Sequence, residues 1–289
     1  MVPDASAEMA LPAKLAHVNN GRTLFALHEW RYGMFLADYH THSTFSPDGR
    51  DGFPAMLEAA RGTGLTELCV TDHRDILSGR PFLTQERYDA FLTERAMNKT
   101  DVKLLLGIEL GEATHDLTEA EEAVSAVPYD FIIGSYHALK GERDFYHLKC
   151  ETEDELHQAL ARYFAELPEL IAWGKFDVLG HLNYPLRYTA LPVKTLLPRY
   201  GDELRNVFRL LRDAGKGIEL NMSGQKKLPF KEILALWREC GGEIVTVGSD
   251  GHRAADVGRG VAEGFELLRD VGFRFVAAYE QRRVRFEGI

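Results

Sequence analysis

Seven short segments each end an apolar, strand-like run with a residue able to ligate a metal. In chain order they are His40-Thr41-His42, Thr71-Asp72-His73, Gly107-Ile108-Glu109, Ser135-Tyr136-His137, Gly180-His181, Glu219-Leu220-Asn221 and Ser249-Asp250-Gly251-His252. A strand alternates its side chains between two faces, so His40 and His42 point the same way and can grip one ion. Asp250 and His252 have the same spacing, and the same expectation applies to them. Imidazole and carboxylate together suit zinc, iron or manganese. Taken singly, any of these histidines reads more readily as a surface or hydrogen-bonded core residue. The set resists that reading, because it repeats a ligand-type residue after six successive apolar runs. Of the eleven histidines, His17, His28, His115, His147 and His157 lie outside the strand ends and read as ordinary.

The elements that must position these residues are legible from periodicity. Apolar, β-branched runs occur at 35–39, 68–70, 103–106, 131–133, 176–179, 217–220 and 243–247. Helix-like stretches lie between them, at 54–61 with Pro54 suited to a first turn, 84–98, 151–167, 204–214 and 230–240. Repeated strand–helix units imply parallel strands joined by right-handed crossovers. Seven units without a long linker predict a single closed α/β barrel over 35–289. Active-site residues of such barrels project from the C-terminal ends of the strands, which is where the candidate ligands fall. An open doubly wound sheet would concentrate function at one switch point instead. Residues 1–34 read as an N-terminal extension, a helical or irregular cover without a ligand that fits the series. Near the other end, 261–271 is helical in pattern. The apolar stretch 273–286, with Arg282, Arg283 and Arg285 interleaved, reads as a final strand or a partner surface.

Composition narrows the class. The 289 residues carry a formal net charge of -10 and a pI near 5.6, so attraction of the whole molecule to a nucleic-acid backbone is not expected and small substrates fit better. No window approaches the roughly 18 consecutive apolar residues of a membrane span. Asp4, Glu8, Lys14 and Asn19-Asn20 interrupt every apolar stretch near the start, which argues against a secretion signal. Cys69, Cys150 and Cys240 are few, odd in number and not in a CxxC pair; they fit a reducing compartment, and the expected location is the cytoplasm. Trp173 and Trp237 read as packing residues rather than a base-stacking platform. The run Glu119-Ala120-Glu121-Glu122 reads as a solvated helix start. Homo-oligomerisation is left open.

The ordered set resembles the polymerase and histidinol phosphatase (PHP) family, and within it the histidinol-phosphatase branch. The resemblance runs from about Asp38 to Gly258 and is carried by Asp38-Tyr39-His40-Thr41-His42-Ser43-Thr44-Phe45-Ser46-Pro47-Asp48-Gly49, Thr71-Asp72-His73, Gly107-Ile108-Glu109, Ile133-Gly134-Ser135-Tyr136-His137, Gly180-His181, and Ser249-Asp250-Gly251-His252 with Asp256-Val257-Gly258. It implies a distorted seven-stranded (β/α)7 TIM-like barrel with three divalent ions, zinc foremost, with manganese and iron as alternatives. By this resemblance His40, His42, Glu109 and Asp250 hold one ion, and Glu109 bridges to a second held also by His137 and His181. Asp48, His73 and His252 hold the third. Many members carry His at the position of Asp48, whereas histidinol-phosphatase-like members commonly carry Asp.

Clustered divalent ions suit hydrolysis of a phosphate monoester, which requires a nucleophile at neutral pH and cations to absorb charge on the phosphoryl oxygens. Glu109, Asp250, His252 and Arg187 are the residues expected to serve that chemistry. Arg187, six residues after His181, is the leading guanidinium for phosphate, ahead of Arg74 and Arg253. Asp72 is expected to orient a ligand histidine rather than to ligate. Glu219 and Asn221 share a face of their strand and are candidates to line the pocket. The branch resemblance implies L-histidinol phosphate as substrate. The loop 138–146 departs from the family's histidinol-phosphatase pattern, so nucleotides, nucleoside bisphosphates and sugar phosphates stay open. Phosphodiester cleavage would want a basic track, and only Arg282-Arg283-Val284-Arg285 offers one. A related C–N hydrolase would follow a different ligand order. A barrel kept only for binding is opposed by the complete ligand set.

Overall fold

Each of the seven apolar runs becomes a parallel strand. The computed structural model describes residues 35–289 except 77, 80–81, 83, 148–149, 151, 189–195 and 224–229; the extension read at 1–34 lies outside the described residues. In chain order the elements are β1 (Ala37–Asp38), α1 (Phe53–Thr63), β2 (Glu67–Val70), β3 (His73–Asp75), α2 (Thr84–Met97), β4 (Lys103–Gly111), α3 (Leu117–Ser125), β5 (Phe131–Ser135), α4 (Glu153–Trp173), β6 (Val178–Leu179), α5 (Tyr184–Arg187), α6 (Leu196–Asp213), β7 (Gly217–Asn221), α7 (Phe230–Glu239), β8 (Val245–Gly248), α8 (Val261–Val271), β9 (Phe275–Glu280) and β10 (Arg283–Gly288).

The sheet runs β1-β2-β4-β5-β6-β7-β8, with β3 continuing the line of β2 beside β4. Every pairing in it is parallel. The two ends meet through Tyr39 N to Val247 O at 2.9 Å, Asp250 N to His40 O at 2.8 Å and His42 N to Gly251 O at 2.8 Å. The result is a nearly closed seven-stranded barrel. Strands β2, β5, β7 and β8 are buried throughout, as expected when helices cover one face and a barrel interior fills the other.

Two features differ from the sequence expectation. The helix read at 151–167 is longer than that: α4 runs past Pro168 to Trp173 and stops at Gly174, whose φ of 69° is left-handed. Its buried face continues through Leu167, Leu170 and Ile171. At about 1.5–3 kcal/mol for each buried apolar side chain, that packing outweighs the roughly 3 kcal/mol a mid-helix proline costs. The C-terminal apolar stretch is not a barrel strand either. It folds as the antiparallel hairpin β9–β10.

That hairpin plugs the end of the barrel away from the candidate ligands. Tyr279 N donates to Tyr39 Oη at 2.7 Å, Gln281 N to Asp130 Oδ1 at 3.0 Å, and Arg282 Nε to Asp177 Oδ2 at 2.5 Å. Ala277, Ala278 and Tyr279 join Tyr39, Leu105, Phe131 and Val178 in one apolar cluster that fills the interior. The opposite mouth is left for polar side chains. Trp237 is fully buried against Phe208, and Trp173 Nε1 donates to Glu121 Oε1 at 2.9 Å, so both tryptophans pack between elements. No helix among the described residues is long and apolar enough to cross a membrane.

Candidate metal centre

The strand ends bring all nine expected ligands to one mouth of the barrel, and Glu109, fully buried on β4, is their centre. Its Oε2 lies 2.8 Å from His73 Nδ1, 3.2 Å from His40 Nε2 and 3.6 Å from His42 Nε2. Its Oε1 lies 2.5 Å from His181 Nε2 and 3.1 Å from His137 Nε2. Asp250 Oδ1 stands 3.3 Å from His42 Nε2 and 3.7 Å from His40 Nε2. At the outer edge Asp48 Oδ2 is 3.1 Å from His252 Nε2 and 3.8 Å from His73 Nε2. Ligand atoms of His40/His42/Glu109, of Glu109/His137/His181 and of His42/His73/His252 each fall within 4.8 Å of one another, a span that one cation can bridge.

The expectation that Asp250 and His252 grip one ion by strand alternation fails. Asp250 lies beyond β8 and has a left-handed φ of 56°. That turn sends its carboxylate inward to His40 and His42 while His252 faces Asp48. A non-glycine residue in this region is strained by of order 1–3 kcal/mol, a cost that recurs at functional sites. Glycine is needed two residues earlier, at the end of β8: a Cβ on Gly248 would come 2.4 Å from His40 Cβ and 2.6 Å from Glu219 Oε1.

The donor set fits divalent cations. Among the described residues His40 Nε2, His42 Nε2, His73 Nδ1 and Glu109 Oε2 are buried and meet no polar partner outside the candidate ligands themselves. Leaving such atoms unsatisfied costs about 1–3 kcal/mol each. Several rings are held by their other nitrogen: His40 Nδ1 by Glu219 Oε1 at 2.6 Å, His42 Nδ1 by Ser46 Oγ at 3.1 Å, His137 Nδ1 by Asp75 Oδ1 at 3.1 Å and His252 Nδ1 by Asp250 O at 2.9 Å. Fixing one ring nitrogen aims the other at the centre, which is how metal-ligating imidazoles are oriented.

Electrostatics point the same way. Burial alone would raise the Glu109 carboxyl, but His40, His73, His137 and His181 hold it well below its ordinary value. Burial likewise opposes ionisation of Asp250, and His40, His42 and Arg187 overcome it. Burial and the neighbouring His73 push His42 down to about 3, which leaves its ring neutral. His73 goes the other way, to about 9, because Glu109 outweighs its burial. Protons on these rings occupy the electrostatic role that cations would take, and an ion that binds must displace them.

Several supporting residues were not read from the sequence. Glu112 accepts from His137 N at 2.5 Å and Ala138 N at 3.1 Å. Glu219, expected only to line the pocket, also accepts from His181 N at 2.7 Å, and Asn221 Nδ2 donates to Glu219 Oε1 at 3.0 Å. Asp72 orients ligand histidines, as expected, but through a serine rather than by direct contact. It accepts from Ser46 Oγ at 3.0 Å, and Ser46 in turn meets His42 Nδ1 and, at 2.9 Å, His73 N. Arg187 Nη1 donates to Asp250 Oδ2 at 2.8 Å, which places it at the rim, whereas Arg74 pairs with Glu119 at 2.7 Å. A spacing signal existed for Glu219, two residues before Asn221, and for Asp75, two residues after His73; Glu112 offered none.

A protein-family model described as PHP domain matches residues 38–223, and the chain belongs to that family. It is 25% identical over 266 residues to the histidinol-phosphatase of Lactococcus lactis subsp. lactis, covering 87% of this chain and 97% of that one. It is 27% identical over 256 residues to a Thermotoga maritima protein named "Probable histidinol-phosphatase", covering 84% and 95%. The crystal structure of histidinol phosphate phosphatase from Lactococcus lactis, complexed with zinc, L-histidinol and phosphate, shares the fold with a TM-score of 0.76 at 24% identity, over 87% of this chain and 99% of that one.

Proposed function

We propose that this chain is a metal-dependent phosphomonoesterase that hydrolyses L-histidinol phosphate to L-histidinol and phosphate. The observation that carries the reading is Glu109, buried at the focus of five imidazoles with Oε2 and three ring nitrogens otherwise unsatisfied. His40, His42, Glu109 and Asp250 would hold one divalent ion, Glu109, His137 and His181 a second, and Asp48, His73 and His252 a third; zinc suits the histidine-rich donors and is the metal of the Lactococcus complex. Such ions supply a nucleophile at neutral pH and absorb charge on the phosphoryl oxygens. Arg187 would bind a phosphoryl oxygen, its guanidinium steered by the Nη1 bond to Asp250.

Hydrolysis breaks the bond from phosphorus to the alcohol oxygen, adds water and returns a proton to the departing alcohol. Room for that alcohol lies beside His137, in a cavity of about 430 Å³ whose walls include Asp75, Glu112, Glu142 and Asp144. Glu142 is paired with Arg162 and Asp75 with His137, while Asp144, held by the neutral donors Tyr184 Oη and Tyr146 N, keeps a negative charge there that favours a leaving group carrying a protonated amine, as histidinol does. The relatives' names support the same substrate.

Phosphate release across histidinol phosphate, nucleotide monophosphates, nucleoside bisphosphates, sugar phosphates and a synthetic diester tests the proposal. Metal-dependent turnover that prefers histidinol phosphate by more than about tenfold in kcat/KM supports it. Preference for a nucleotide or the diester would overturn the substrate, and no turnover by zinc-loaded protein would overturn the activity.

A further inference from the structure

Helix α2 turns an unusual face to the barrel. Its buried residues are Phe91 and Arg87, and Arg87 is only 1% exposed. An arginine is almost never fully buried unless paired, because leaving water costs several kcal/mol that only good geometry repays. Arg87 finds that geometry under the metal centre. Nε donates to Asp72 Oδ2 at 2.5 Å, and Nη2 donates to Val70 O and to Gly107 O, each at 2.8 Å.

Those acceptors mark a break in the sheet. The strand beside β4 pairs as Val70 with Leu106, stops at Thr71 and Asp72, and resumes as His73 with Glu109. At the gap Thr71 N turns to Thr41 O on the other side, at 2.8 Å. The guanidinium takes up the carbonyls that the break leaves on both strands, and its charge meets Asp72 between them. Asp72 passes the constraint on: it accepts from Ser43 N at 2.6 Å, Ser43 Oγ at 3.0 Å and Ser46 Oγ at 3.0 Å. Ser46 Oγ then contacts His42 Nδ1 at 3.1 Å and accepts from His73 N at 2.9 Å. The same loop carries Asp48.

We infer that Arg87 is a positioning residue: wedged in the β2–β3 break, it sets Asp72 and Ser46 so that His42, His73 and Asp48 stand at ligating distance at the outer end of the metal centre. The inference rests on the metal-centre reading above. It adds a residue outside the ligand set, and it makes the two ions held through His42 and through His73 depend on α2. His137 and His181 are held instead by Asp75, Glu112 and Glu219, and Arg87 reaches their shared partner Glu109 only through the backbone, by way of Gly107 O and the bond from Glu109 N to Asp72 O at 3.2 Å.

The test uses full-length protein with Arg87→Lys, Arg87→Ala and Ser46→Ala. Zinc content is counted after dialysis, zinc affinity is measured by competition with a chromogenic chelator, and unfolding of the metal-free forms is recorded. A lysine keeps the charge and cannot serve all three acceptors with a planar fork. The expected result is that Arg87→Lys and Ser46→Ala each weaken the ions held through His42 and His73 by about 10–100-fold while the ion held by His137 and His181 stays as in wild type. Activity lost at low zinc should return in excess zinc. If Arg87→Ala fails to fold, Ser46→Ala decides, because it leaves the Arg87–Asp72 pair in place and removes only the link to the imidazoles. Wild-type chelator resistance in both milder variants would overturn the inference. So would uniform loss of all ions in step with lower stability of the metal-free protein. A wild-type protein that holds no zinc would instead overturn the metal-centre reading itself.

Discussion

At the scale of single residues the account turns on Glu109, which faces imidazoles through both oxygens. Glu109→Gln keeps the shape and removes the charge, so it should cut bound metal and lower kcat/KM by more than about a hundredfold, beyond the 10–100-fold typical of residues one step behind a ligand. Elemental analysis beside a phosphate-release assay measures both. Arg187→Ala should raise KM for the phosphoester about tenfold or more with the ions retained, since a hydrogen bond to a charged group is worth about 1.5–3 kcal/mol. Metal loading should also depend on pH with a definite sign. His73, pushed up to about 9, is protonated at neutral pH without metal and must lose that proton to ligate. Apparent zinc affinity should therefore rise with pH and flatten above about 9, and calorimetry in buffers of different ionisation enthalpy should record protons released on binding. Most of the ligands were legible because they follow an apolar run within about five positions, as His181 follows Val178–Leu179, whereas Asp48, farther along the loop, came from the family resemblance. The support that Asp75 gives His137, 62 residues away, was not legible, since only the closed barrel puts them together.

At the scale of elements the strand pattern was readable because parallel strands buried on both faces are continuous apolar runs, as in Phe131–Ser135. The β2–β3 break left no such trace. Thr71-Asp72 looks like a strand end, and its meaning comes from an arginine on the following helix. The hairpin β9–β10 was ambiguous for a related reason: an apolar stretch with alternating arginines suits an edge, and what fixes it to the barrel floor is the acceptor pair Asp130 and Asp177. Asp177 accepts from Ile132 N at 2.8 Å as well as from Arg282 Nε. Asp177→Ala should cost about 2–3 kcal/mol in denaturant unfolding. Zinc content should be unchanged, because the staple lies at the end of the barrel opposite the ligands.

At the scale of the whole molecule one end of the barrel holds it shut and the other does chemistry. The closed end is filled by Tyr39, Phe131 and Tyr279 with the hairpin beneath, while the open end gathers carboxylates and imidazoles whose mutual repulsion and burial the apolar core must offset. Cations relieve that conflict in the folded state alone. At a free zinc concentration 100 times the dissociation constant, binding adds about 2.7 kcal/mol of stability per site, so stripping the metal should lower Tm and restoring zinc should recover it. A net charge of -10 does not forbid an anionic substrate, because bound cations and Arg187 set the sign at the mouth.

The most direct test of the central claim is a zinc titration of metal-stripped protein, following phosphate release from L-histidinol phosphate at each addition. The account predicts no turnover without metal and a rise that saturates as the centre fills. Turnover by protein shown to be metal-free, or none at full zinc occupancy, would contradict it.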